Sequence, residues 1–153
     1  MPSYLLITLH LLSAVIWVGG MFFAYVILRP TAAAQLEPPV RLKLWVGVFS
    51  RFFPFVWIAV LLLPVTGYLM VFSFYQGFEH APKYIHIMNG LGILMLLLYM
   101  HVFFAPYKRL KLAVANENWP EGAKKLNQIR IMIGINLVIG LVVIMVAAAG
   151  RYL

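Results

Sequence analysis

The chain contains no cysteine at all. That absence removes disulfides, thiolate metal sites and cysteine nucleophiles together. Charge is also scarce, at 10% of residues, where soluble domains carry about 25%. The four acidic residues, Glu37, Glu79, Glu117 and Glu121, all lie between the apolar runs. No span therefore holds a carboxylate, which excludes a membrane-embedded proton-coupling acid and hydrolysis by an acid–base pair. No GxSxG, phosphate loop or HExxH occurs.

What is present is apolar. Of the 153 residues, 64% are hydrophobic, and the mean hydropathy is +0.95. A soluble fold needs more polar surface than this, so the excess must face lipid. The expectation is an all-α integral membrane bundle of four transmembrane helices forming one domain. At about 20 residues per span, four spans leave no room for a separate catalytic domain.

The spans read as residues 4–28, 53–75, 83–105 and 129–150. Span one is too long for a signal peptide and has no basic region before it; Arg29-Pro30 stops it. The stretch from Thr31 to Val40, with three prolines when Pro30 is included, reads as a loop. Residues 41–52 alternate Arg41, Lys43 and Arg51 with Leu42, Leu44, Trp45, Val46, Val48 and Phe49. That amphipathic segment is expected along the membrane surface, leading into span two. Pro64 should kink or locally unwind span two. Residues 106–128 read as a polar loop.

Ten of the twelve Lys and Arg residues fall in the segments after spans one and three, and only Lys83 and Arg151 lie at the other side. The positive-inside rule then makes the two long connections cytoplasmic and both termini periplasmic, in a bacterial inner membrane. The net charge of +8 reads as a topology signal and a contact with anionic lipid, not as nucleic-acid binding.

Histidine is the only ionisable residue well inside the spans, and such residues usually have a reason. His10 lies about six residues into span one, roughly 9 Å deep, and His86 about three residues into span three, roughly 5 Å deep. Their similar level on two helices suits a six-coordinate b-type haem. Ser13, Ala14, Trp17 and Met21 recur on the His10 face, and Gly90 leaves room beside His86. His101 lies fifteen residues beyond His86, about 22 Å away; it and Met21 are second choices as ligands. His80 sits in a turn, where hydrogen bonding at the interface explains it.

Copper is the rival, because copper(I) takes imidazole and thioether ligands. Met21, Met70, Met88, Met95, Met100, Met132 and Met145 lie in spans, although methionine also fills apolar cores. Asn89 and Asn136 can hydrogen-bond between helices. Arg130 reads as a positive-inside anchor or as the holder of a carboxylate, a propionate or an anionic lipid. Small residues make span four a packing or homodimer face.

The run from His10 to Gly20, HLLSAVIWVGG, resembles the first helix of the copper-resistance protein D (CopD) family and is similar to the HemJ-type protoporphyrinogen oxidases. PVTGY (Pro64–Tyr68) resembles the Thr-Gly of their next helix, and YMHVFF (Tyr99–Phe104) a histidine-bearing third span. HemJ-type proteins carry an arginine where this chain has Val26, and a third-helix lysine that Ile85–Met100 lacks. The resemblance implies a small haem-binding or copper-linked inner-membrane protein.

The functional expectation is electron transfer or membrane redox chemistry through a haem b held by His10 and His86, with a quinone or redox partner. That would make it a membrane oxidoreductase. Copper transport or resistance is the alternative, followed by HemJ-like protoporphyrinogen oxidation and by a cofactor-free assembly subunit.

Overall fold

The computed structural model describes all residues, Met1–Leu153. Four helices are long and apolar enough to cross a membrane: α1 (Ser3–Gln35), α2 (Pro38–Tyr75), α3 (Lys83–Ala115) and α4 (Trp119–Tyr152). The protein is an all-α, multi-pass membrane protein. At about 1.5 Å per residue, helices of 33 to 38 residues are roughly 50–57 Å long. The hydrocarbon layer is about 30 Å thick. Each helix therefore projects well beyond the lipid, and all four do so at the end that carries ten of the twelve cations.

This projection corrects three sequence-based expectations. Residues 31–40 are not a loop: helix continues from Arg29 to Gln35, and only Leu36 and Glu37 interrupt it before α2 begins. Residues 41–52 do lead into span two, but as the first turns of the continuous helix α2 and not as a segment lying along the surface. Residues 106–128 are almost wholly helical, turning only at 116–118. The physical reason is shared. Beyond the lipid an amphipathic stripe is buried by the hydrophobic effect, and here the stripes meet one another. Leu42, Trp45 and Phe49 of α2 are buried together with Tyr107 and Leu110 of α3 and Ile129 of α4. Within the lipid layer the same drive is absent, and Leu11, Val15, Phe55, Ile58 and Leu61 point outward.

The prolines are absorbed without breaks. A π-helical turn over Phe23–Leu28 precedes Pro30, and another over Phe103–Tyr107 contains Pro106. A π turn shifts the hydrogen-bond ladder by one residue, which lets the chain pass a residue with no N–H. Pro38 and Pro39 sit in the first turn of α2, where N–H groups have no intrahelical partner anyway. At Pro64 the expected unwinding is not seen; α2 is helical throughout.

Helix α1 packs chiefly on α2, and α3 chiefly on α4, with α4 also touching α1 and α2. Helices α1 and α3 meet at one ring contact, Trp17 edge-on to Tyr99 at 6.2 Å. Tyr99 is the hinge of the core: Phe53 and Trp57 of α2 stand edge-on to it at 5.4 and 5.2 Å. Its hydroxyl donates to the Phe53 carbonyl at 3.3 Å.

Candidate functional site

Two of the stretches that stand out in sequence meet in space. His10 of α1 lies against Thr66-Gly67 of α2. The Thr66 hydroxyl donates its single proton to the Leu62 carbonyl, 2.6 Å away and one turn back. It must therefore accept at its other contact, with His10 Nδ1 at 2.8 Å. In that arrangement the ring proton lies on Nδ1 and the lone pair on Nε2; the Leu63 carbonyl is a further hydrogen-bond partner of the ring. Fixing one ring nitrogen this way orients the other as a ligand. Gly67 makes the approach possible, since a Cβ there would lie 3.2 Å from His10 Cε1. Thr66 is buried and His10 half-buried. Met70, also half-buried, follows Thr66 by four residues and so lies one turn along the same face of α2.

The other expected site residues are placed differently. Ser13 is buried, and its hydroxyl donates to the Leu9 carbonyl. Trp17 and Met21 belong to the packed core. Met21 is three turns from His10, about 16 Å of helix rise. His86 is exposed on α3, its ring 5.7 Å from that of Phe78. Phe78 in turn stands edge-on to Tyr68 of α2 at 5.7 Å. Thr66 and Tyr68 are two residues apart, about 200° around the helix. His10 and the His86 cluster thus meet α2 on different faces, and α1 and α3 scarcely touch there. Gly90 faces open space. His80 and His101 are exposed, and no group of three or more histidines and carboxylates assembles anywhere in the chain.

Sequence reasoning singled out His10 but not the residue that orients it. A threonine directly before glycine and just after Pro64, in an otherwise apolar run, was the available signal. It also left unassembled a second feature: a cavity of about 340 Å³ at the basic end, walled by α1, α2 and α4.

No curated protein and no solved structure matches the chain. The model of one protein family, Copper resistance protein D, does match, over residues 46–149. That stretch is more than half of the chain and takes in most of α2 and nearly all of α3 and α4, including Thr66 and Gly67. Four apolar helices and this match together make the chain a multi-pass membrane protein of the copper-resistance type, and it belongs to the Copper resistance protein D family.

Proposed function

We propose that this protein handles copper(I) as cargo in the membrane, taking it on the Nε2 atom of His10. The observation that carries the reading is the Thr66 hydroxyl 2.8 Å from His10 Nδ1, an arrangement that supports a lone pair on Nε2. An imidazole with a thioether one turn away is a donor set suited to copper(I), and Met70 supplies the thioether. His10 itself lies outside the matched residues, so its role rests on geometry. The charge bias sets the direction: the basic end faces the cytoplasm and both termini the periplasm, in a bacterial inner membrane. On that orientation His10 sits in the periplasmic half of the bundle.

The test is copper(I) stoichiometry and affinity of the purified protein, measured against a chromogenic chelator, for wild type and His10→Ala. One copper(I) per chain that is lost in His10→Ala supports the proposal; equal binding by both contradicts it.

A second reading is b-type haem with His10 as one axial ligand. It is favoured by the same oriented imidazole and by the open face around Gly90 and His86 on α3. Because the two histidines address different faces of α2, the second imidazole would come from another copy of the chain. Electron transfer with a quinone or another redox partner would follow from that arrangement. A red protein with a Soret band that His10→Ala abolishes would replace copper with haem as the occupant.

A further inference from the structure

We infer that the cavity at the basic end of the bundle binds an anionic phospholipid, its phosphate among Arg29, Arg41 and Arg130 and its first acyl carbons against the apolar wall. All three arginines line this cavity of about 340 Å³, and no acidic residue does. None of them has a carboxylate partner, because the only ion pair in the chain joins Lys125 to Glu121. Their positive charge is therefore uncompensated by protein.

The site is built rather than incidental. Arg29 is half-buried and held in place: its Nε donates to the Tyr25 carbonyl at 3.1 Å, and its guanidinium stacks on the Tyr25 ring at 4.6 Å. Its terminal nitrogens have no protein partner. Arg41 is also half-buried, with one long contact, Nη1 to the Ala33 carbonyl at 3.4 Å. Arg130 makes no hydrogen bond. Arg130 is exposed, as are Lys108, Arg109 and Lys111, but only Arg130 of these four lines the cavity. A topology signal alone would need no such convergence.

Size and polarity choose an amphiphile over a free anion. At about 30 Å³ per water, the cavity equals roughly eleven waters, more than a bare phosphate fills. Ten of its fifteen lining residues are hydrophobic, Trp45 and Ile133 among them. Position agrees, since the cavity straddles the boundary between the apolar run of α1, which ends at Leu28, and the projecting basic end. That is where a lipid headgroup lies.

The experiment is native mass spectrometry of the full chain in detergent, titrated separately with dioleoylphosphatidylglycerol, dioleoylphosphatidylcholine and inorganic phosphate. One phosphatidylglycerol should bind per chain, at least tenfold more tightly than phosphatidylcholine on the scale of about one order of magnitude expected from one to two basic contacts. Arg130→Gln, which breaks no bond in the fold, should weaken it about fivefold. Arg29→Gln with Arg130→Gln should weaken it about thirtyfold, corresponding to about 1 kcal/mol per basic residue. The control pair Lys108→Gln with Arg109→Gln should leave it within about twofold, and thermal unfolding should show each variant folded. Equal loss in the control pair would reduce the effect to general surface charge and overturn the proposal. So would equal binding of phosphatidylcholine, unchanged binding by folded Arg130→Gln, or displacement of the lipid by an equal concentration of inorganic phosphate.

Discussion

Replacing Thr66 by valine keeps the shape of the side chain and deletes one oxygen, so it isolates the hydroxyl between α1 and α2. Two effects follow, of different size. For stability, the lost contact is one interhelical hydrogen bond at 2.8 Å. Such bonds in membranes average about 0.6 kcal/mol and reach about 1.7. An unmet buried donor costs about 1–3 kcal/mol, but His10 is only half-buried. The expected loss is therefore about 1 kcal/mol. For copper(I) bound as proposed, the hydroxyl would hold the ligating ring by its other nitrogen, and losing such a contact typically lowers affinity about 10–100-fold. That is about 1.4–2.7 kcal/mol, so binding should suffer more than folding. Thr66→Ser, which keeps the oxygen, should stay close to wild type in both. The assay pairs copper(I) affinity, measured by chelator competition, with thermal unfolding in detergent. Wild-type affinity in Thr66→Val would refute the claim that Thr66 orients His10. An equal fall in Thr66→Ser would mean that packing, not the hydroxyl, is responsible.

Gly140→Ala should lower the unfolding midpoint, because the new Cβ would lie 2.9 Å from Val18 Cγ2 and 3.1 Å from Met95 Cε. Overpacking of this kind costs about 1–3 kcal/mol, and an unchanged midpoint would contradict the close approach of α4 to α1 and α3. Asn136→Leu should leave the midpoint equal or higher. Asn136 makes one long bond to the Met95 carbonyl at 3.3 Å and buries its Oδ1 without a partner, so an apolar replacement removes an unmet group; a marked fall would show that the amide matters more than its geometry indicates. Reporter fusions after Glu37 and Asn118 should read cytoplasmic and one at Gly77 periplasmic; the reverse pattern would overturn the orientation.

Long apolar runs made the four spans legible in the sequence, because a residue's hydropathy reports on lipid without reference to any neighbour. The projecting ends were not legible. Tyr107 and Leu110 look like scattered residues in a charged loop until Leu42 and Phe49 are placed beside them. Pro30 reads as a stop because a π turn leaves no signature in sequence. At the candidate site, depth was readable and azimuth was not. Counting residues put His10 and His86 at one level, but which face of α2 each addresses depends on how the helices are rotated. Only contacts such as Thr66 to His10 and Tyr68 to Phe78 fix that rotation. The arginine cavity was missed for a related reason: Arg29, Arg41 and Arg130 come from three helices and converge only in the fold.

The central claim is that Nε2 of His10 binds copper(I), and the most direct test is X-ray absorption at the copper edge on the copper(I)-loaded protein. The expected spectrum has one imidazole nitrogen together with a sulfur scatterer, and it loses the imidazole signal in His10→Ala. A spectrum with no imidazole, or one unchanged by His10→Ala, would contradict it.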